Sequence, residues 1–174
     1  TVKILVDDLE YKATHTTPDS ITINHYLKEM VDAGVEYCFM EVSSHGIHQK
    51  RTEALHFAGG VFTNLSHDHL DYHPSFEDYF AQKLRLFTEL LPQGATAVVD
   101  VDSDAGKHVA EVAKAKGLDL LAIGQDGKTL RLVSAERDGF GQRLVIEHGG
   151  QQHQVRLPLV GAFQASNALV AAGL

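Results

Sequence analysis

Apolar segments alternate with amphipathic ones along most of the chain, and this alternation limits the fold more than any other feature. Short apolar runs typical of buried strands lie at residues 35–42, 59–65, 96–100 and 118–124. Helical spacing of apolar residues predicts helices at residues 23–33, from Ser75 onward and at 103–116. Because parallel strands need crossover connections, the order predicts an α/β fold with a Rossmann-like, mostly parallel sheet flanked by helices.

The pattern changes after Gly124. Segments 129–137, 143–147 and 154–157 are short, β-prone and separated by glycine-containing turns, which predicts a small antiparallel β subsheet. Residues 1–13 predict two further short strands around the turn Asp7-Asp8, and an alanine-rich helix is predicted from Gln164. We predict one domain over residues 1–174.

Composition excludes several classes of protein. The 174 residues carry 15 Lys and Arg against 23 Asp and Glu, a formal net charge of −8, which argues against a nucleic-acid-binding protein. A single cysteine, Cys38, excludes an internal disulfide framework and fits a reducing cytoplasm. No apolar run approaches the roughly 20 residues that span a bilayer, and the first residues are not a signal peptide. We expect a cytoplasmic, monomeric protein that does not bind membranes.

Residues 67–73 (HDHLDYH) place three histidines and two aspartates directly after a predicted strand. The carboxyl ends of strands are where α/β sheets bind their ligands. Binuclear zinc hydrolases often show His-x-His-x-Asp-His, but here Tyr72 intervenes before His73, which re-aims the last ligand. A zinc-dependent hydrolase using His67, His69 and His73 stays an alternative, and so do solvated loop histidines.

Glu41 ends the apolar run at 35–42. A carboxylate at the end of a buried strand suits Mg²⁺, which prefers oxygen ligands and retains waters for a phosphate substrate. A strand-end acid that points to solvent is the equally simple alternative.

Lys83 interrupts an apolar stripe. Phe76, Phe80, Lys83 and Phe87 are spaced by four, three and four residues, so they are predicted to share one helix face. A lysine there either extends its ammonium past the aromatic rings to solvent or is a neutral amine that forms a carbamate with carbon dioxide. Spacing alone does not decide between the two.

A phosphate loop of the form G-x-x-x-x-G-K-[ST] is absent. The nearest approach, AIGQDGKT at residues 122–129, has alanine at the first position and precedes a strand-like segment. A phosphate loop opens a helix, so we predict a turn here.

Four ordered motifs together resemble the central domain of the Mur ligase family. They are THTTP at 14–18, MEVSSHG at 40–46, FTNLSHDHLDYH at 62–73 and YFxxK at 79–83. The likeness extends to GAFQASNAL at 161–169 and is greatest to the members that add the third amino acid of the peptidoglycan precursor.

The resemblance implies an ATP-dependent amide-bond ligase that acts in cytoplasmic peptidoglycan synthesis. Its substrates would be UDP-N-acetylmuramoyl-L-alanyl-D-glutamate and a diamino acid, meso-diaminopimelate or L-lysine. ATP would phosphorylate the D-glutamate side-chain carboxylate, and the amine would attack the acyl phosphate.

The resemblance also implies roles for individual residues. Glu41, His69 and Lys83 would hold Mg²⁺ and form the catalytic centre, with Lys83 carbamylated. Asn167 would contact the adenine of ATP. The residues expected to hold the UDP-muramoyl dipeptide are Thr16, Thr17, Ser43, Gln49 and Arg51.

In the family, a Gly-Lys-Thr phosphate loop and a UDP-binding domain precede this region, and an amino-acid-selecting domain follows it. The resemblance therefore implies that residues 1–174 are a central domain cut at both ends, which we expect to be inactive alone. A non-catalytic fragment that binds the UDP-muramoyl peptide is the remaining alternative.

Overall fold

The computed structural model describes residues 3–66 and 71–174. Within the segment predicted as one domain, the chain forms two compact units. The first unit comprises Thr1–Leu55 and His69–Leu86, and the second comprises His56–Asp68 and Phe87–Leu174.

The first unit begins with an antiparallel hairpin. Strands β1 (Lys3–Val6) and β2 (Leu9–Lys12) pair from Val6↔Leu9 to Lys3↔Lys12. Asp7 turns the chain with a φ of 50°, a conformation that Asp tolerates better than most residues. The predicted pair of strands around Asp7-Asp8 is confirmed.

Helix α1 spans Ser20–Asp32 and confirms the predicted amphipathic helix. The Asp19 carboxylate caps it by accepting from the backbone N–H groups of Ile21 and Thr22, both at 3.0 Å. Hydrogen bonds from the side chain and backbone of Thr22 lower the pKa of Asp19. Beyond the helix, Gly34 takes a φ of 76°, which favours glycine.

The strand predicted at residues 35–42 is wrong. The structure gives no helix or strand to residues 35–43, and the side chains of Tyr37 and Phe39 are 76% and 73% exposed. A strand is defined by the ladder it makes with a neighbour, and among the described residues this segment has no such partner. The apolar run predicts side chains that tend to be buried, but it does not predict a neighbouring strand with which the segment would pair.

Two helices complete the first unit. The short helix α2 (Ser44–His48) begins after Ser43, and α3 (Phe76–Arg85) begins after Ser75, the predicted start of this helix, which caps it. A π-helical turn occupies Leu86–Leu90. Since the α-helical period ends at Arg85, Phe87 lies outside the α3 face that the stripe predicted.

The second unit contains a six-stranded mixed sheet in the order β3-β4-β5-β6-β7-β8. Strands β3 to β6 pair in parallel, whereas β6, β7 and β8 pair antiparallel. This confirms the mostly parallel sheet with an antiparallel extension. The strands are β3 (Gly59–Phe62), β4 (Thr96–Asp100), β5 (Asp119–Gly124), β6 (Leu130–Asp138), β7 (Gly141–His148) and β8 (Gln151–Leu157).

Helices α4 (Asp104–Lys116) and α5 (Ala162–Gly173) pack on this sheet, and both confirm predicted helices. Val98 of β4 and Ile123 of β5 form a buried cluster with Leu169 and Val170 of α5. Burying such side chains stabilises the fold by about 1.5–3 kcal/mol each. The cluster fixes α5 on β4 and β5. No helix in residues 3–66 and 71–174 is both long and apolar enough to cross a membrane.

Candidate functional site

In the first unit, a buried threonine organises the loop that enters α2. The Thr17 side chain is 1% exposed, and its hydroxyl donates to the Glu41 carbonyl at 3.0 Å. The same oxygen accepts from the Ser43 backbone N–H at 2.9 Å and lies 3.1 Å from the Ser43 hydroxyl. Ser43 in turn caps α2, accepting from the Gly46 N–H at 3.1 Å. We call residues 43–46 with Thr17 the serine turn.

Gly46 is required by the packing of this turn. A Cβ at position 46 would lie 2.8 Å from Cγ2 and 2.9 Å from Cβ of Thr17. Thr17 is buried and held by hydrogen bonds, so it cannot easily move aside. The glycine therefore lets α2 approach the threonine closely.

Arg51 connects the same turn to the surface. Its guanidinium donates to the Thr17 carbonyl at 2.6 Å and to the Gln49 side-chain oxygen through Nε and Nη2 at 3.0 and 2.6 Å. Gln49 donates through Nε2 to the Tyr72 hydroxyl at 3.1 Å. Of the five residues predicted to hold the substrate, Thr17, Ser43, Gln49 and Arg51 thus share one hydrogen-bonded network. Thr16 is half-buried next to Thr17.

A buried histidine that sequence reasoning placed only within a cluster lies beside this network. His73 is 2% exposed, and its Nε2 lies 2.9 Å from the Ser44 hydroxyl. Its Nδ1 lies 2.9 Å from the Asp78 carboxylate. The arrangement resembles a serine nucleophile with its base, but Ser44 is itself 2% exposed, so a substrate could not reach it.

The same geometry weighs against the zinc-hydrolase alternative. Both ring nitrogens of His73 are within hydrogen-bond distance of protein groups, which leaves neither free to ligate zinc. The other two ligands of that hypothesis, His67 and His69, lie outside the described residues.

The residues predicted to hold Mg²⁺ are only partly described. Glu41 is exposed, and its carbonyl accepts from Thr17. Lys83 is half-buried on α3, with its Nζ 5.1 Å from the centroid of the buried Tyr79 ring. His69 lies outside the described residues, and in the remainder no group of three or more His, Cys, Asp or Glu could hold a metal. Whether Glu41, His69 and Lys83 act together stays a prediction.

The second unit has a cavity of about 230 Å³ at the carboxyl ends of β3 and β4. Open α/β sheets bind ligands at this end of their strands. Asn167, the predicted adenine contact, lines the cavity from α5. The other lining residues are Thr63, Asn64, Asp100, Asp102, Ser103, Phe163 and Ser166.

Hydroxyl, amide and carboxylate groups and one aromatic ring line this cavity. The Asp102 carboxylate accepts from the backbone N–H groups of Gln125 and Asp126 at 2.8 and 2.9 Å, which orders the turn after β5. Asp100 accepts from the hydroxyl of Ser166. Phe163 is 65% exposed and offers a free ring surface. The sequence motif pointed to Asn167 but not to Phe163 or the two aspartates.

Two equally buried threonines of the first unit provide a matched test of the serine turn. Thr17 and Thr52 are each 1% exposed, but Thr52 Oγ1 has no hydrogen-bond partner among the described residues. Thr17→Val should lower the free energy of unfolding by about 2 kcal/mol, because it leaves buried polar partners unsatisfied. Thr52→Val should raise it by about 1 kcal/mol, because it removes an unpaired buried hydroxyl. Urea denaturation measures both, and equal effects of the two substitutions would contradict the assigned network.

Comparisons with known proteins agree with this architecture. The family model described as the Mur ligase middle domain matches residues 1–174. The UDP-N-acetylmuramoyl-L-alanyl-D-glutamate–2,6-diaminopimelate ligase of Bradyrhizobium diazoefficiens is 45% identical over 163 residues, which is 91% of this chain and 34% of the relative. The chain therefore spans about a third of the length of such relatives.

Solved structures show the same fold. A structure of a UDP-N-acetylmuramoyl-L-alanyl-D-glutamate–2,6-diaminopimelate ligase matches 92% of this chain and 33% of its own, with a TM-score of 0.80 and 26% identity. A MurF ligase from Thermotoga maritima, solved in complex with ADP, matches 69% of this chain and 27% of its own, with a TM-score of 0.59 and 16% identity.

Proposed function

The chain belongs to the family of Mur ligase middle domains, and from that premise we propose that it is the ATP-using part of a longer amide-bond ligase. The ligase would join 2,6-diaminopimelate to UDP-N-acetylmuramoyl-L-alanyl-D-glutamate in peptidoglycan synthesis. The names of the relatives support both substrates, and they favour diaminopimelate over lysine. We place the protein in the cytoplasm as a monomer.

The proposed binding of ATP rests on the cavity of the second unit. The exposed Phe163 ring can stack on a purine base, and the Asn167 side-chain amide can pair with the edge of that base. The carboxylates of Asp100 and Asp102 could accept hydrogen bonds from ribose hydroxyls and would repel phosphate. The cavity therefore suits the nucleoside end of ATP, with the phosphates directed away from it.

Arg51, which is bonded to the serine turn, supports the proposed binding of the UDP-muramoyl dipeptide. The UDP-muramoyl dipeptide carries a diphosphate and carboxylates, and such groups are recognised by guanidinium and hydroxyl donors. Arg51 presents a guanidinium whose orientation is fixed by the Thr17 carbonyl and the Gln49 amide. Its position thereby suits an anionic group of the substrate.

The proposed reaction has two steps. A carboxylate oxygen of D-glutamate attacks the γ-phosphorus of ATP, giving an acyl phosphate and ADP. The amine of the diamino acid then attacks the acyl carbon, and the tetrahedral intermediate expels phosphate as the amide forms and the nitrogen loses a proton. In this scheme Arg51 and Ser43 orient the muramoyl dipeptide, while Asn167 and Phe163 hold the adenosine.

Glu41 and Lys83, the two described residues assigned to Mg²⁺, fit this ion only if Lys83 is carbamylated. The Glu41 carboxylate is a suitable oxygen ligand, but the ammonium of Lys83 is not, so Lys83 would serve only as a carbamate. Glu41, His69 and carbamylated Lys83 would then hold the ion. When bound, Mg²⁺ would neutralise charge on the transferred phosphoryl group.

Nucleoside binding to the 174-residue chain tests the cavity assignment. Adenosine and ATP should both shift the amide resonances of Asn64, Ser103 and Asn167 in NMR titrations, whereas ribose 5-phosphate should not. Asn167→Ala and Phe163→Ala should each weaken adenosine binding about tenfold, a loss of roughly 1.4 kcal/mol.

The matched control is Phe140→Ala, because Phe140 is also an exposed phenylalanine, at 91%, but lies at the tip of the β6–β7 hairpin. It should leave binding unchanged. Nucleoside shifts confined to other parts of the chain, or equal losses for all three variants, would refute the assignment.

A further inference from the structure

We propose that His73 is a positioning residue of the ligase, which holds the serine turn and helix α3 in one fixed arrangement. The inference rests on the proposed function, because it concerns the residues to which that function assigns substrate and metal. His73, the serine turn and α3 all belong to the first compact unit.

The bonds of His73 join two helix starts. Ser44, 2.9 Å from Nε2, is the first residue of α2 and follows the cap Ser43. Asp78, 2.9 Å from Nδ1, lies in the first turn of α3, where its backbone N–H donates to the cap Ser75 at 3.1 Å. One imidazole thus bridges the first turns of α2 and α3.

The proton positions on His73 follow from its partners. An ionised Asp78 carboxylate can only accept, so Nδ1 carries a hydrogen and donates it. In the neutral ring, Nε2 then has a lone pair that accepts the hydrogen of the Ser44 hydroxyl. With the ring neutral, each partner thus has one role, and a flipped ring would leave the buried ring nitrogens and the Ser44 hydroxyl without these bonds.

Packing extends this bridge to Lys83. The His73 ring centroid lies 5.4 Å from that of Tyr79, whose side chain is 2% exposed. Lys83 contacts the same Tyr79 ring, with its Nζ 5.1 Å from the ring centroid. Displacing His73 would consequently disturb the surface on which Lys83 rests, besides freeing the serine turn.

The two bonds predict separable kinetic effects in the longer ligase. Ser44→Ala should raise the KM for the UDP-muramoyl dipeptide about tenfold with little change in kcat, because it releases only the serine turn. Asp78→Ala should lower kcat about tenfold and raise the Mg²⁺ concentration needed for half-maximal rate, because it releases the start of α3. Asp78→Asn, which keeps an acceptor for Nδ1–H, should recover most of the lost rate.

His153→Gln is the control, since His153 is an exposed histidine on β8, and its kinetic constants should equal those of the wild type. Thermal melts of every variant show whether it is folded at the assay temperature, and Ser44→Ala removes only one oxygen atom. A purely structural role for His73 predicts lower melting temperatures with an unchanged KM and kcat for the folded fraction, and that result would overturn the inference. A wild-type ligase that forms no amide would instead overturn the proposed function and, with it, this inference.

Discussion

Lys83→Ala in the longer ligase is expected to lower kcat about 100- to 1,000-fold, the usual range for losing one group that stabilises developing charge. The proposed carbamate of Lys83 would supply an oxygen ligand to Mg²⁺, and alanine supplies none. The KM for the UDP-muramoyl dipeptide should change little, because the hydrogen bonds that join Thr17, Ser43 and Arg51 do not involve Lys83. A coupled assay of ADP release measures both constants.

Three further experiments test whether Lys83 acts as a carbamate or as a positive charge. Lys83→Arg keeps a cation that can lie over the Tyr79 ring but cannot form a carbamate, so it should be as inactive as the alanine variant. Short carboxylates such as formate should partly restore the alanine variant by supplying an oxygen ligand. Lys28→Ala, which removes an exposed lysine paired with Asp32 on α1, should keep full activity. An active Lys83→Arg variant would show that positive charge, and not a carbamate, is what this position contributes.

Gly106→Ala is expected to be the most destabilising single substitution considered, lowering the free energy of unfolding by about 3 kcal/mol or more. A Cβ at position 106 would overlap the backbone oxygen of Asp100 and lie 3.3 Å from the Ser103 hydroxyl. A backbone oxygen at the end of β4 cannot rotate away as a side chain can. Relief would require α4 to move off the sheet, away from the buried residues on which it packs.

The effect should extend to ligand binding, because Asp100 and Ser103 both line the cavity of the second unit. Chemical denaturation gives the stability change, and the adenosine titration gives the loss of binding. Glu111→Ala, at an exposed position of the same helix, is the control and should be neutral or slightly stabilising since alanine has the higher helix propensity. A Gly106→Ala variant as stable as this control would contradict the close approach of α4 to β4.

The elements predicted best were those whose signals are local. Strand β4 occupies the predicted residues 96–100, and helices α3 and α4 begin one residue after their predicted starts, Ser75 and Ser103. The signal for β4 is the short apolar run Ala97-Val98-Val99, and each of the two serines caps its helix by accepting a backbone N–H. The strand predicted at residues 35–42 is wrong because hydrophobicity shows that a segment tends to be buried but does not identify its hydrogen-bonding partner.

The sequence predicts less of the candidate site than of the fold. Thr17 and Arg51 are 34 residues apart, so only the resemblance of whole motifs could associate them. The role of His73 could not be read from its spacing, because nothing in residues 67–73 shows which histidine is buried. Phe163 carried no signal beyond its place in a motif, and its exposure at the cavity is a property of the folded chain alone.

The most direct measurement is a product assay on the longer ligase. Purified protein is incubated with UDP-N-acetylmuramoyl-L-alanyl-D-glutamate, meso-diaminopimelate, ATP and Mg²⁺, and the products are identified by mass spectrometry. We expect the UDP-muramoyl tripeptide together with one ADP and one phosphate for each amide formed, and no tripeptide when ATP is omitted. Binding of the dipeptide without amide formation, or release of AMP and diphosphate in place of ADP and phosphate, would contradict the proposed function.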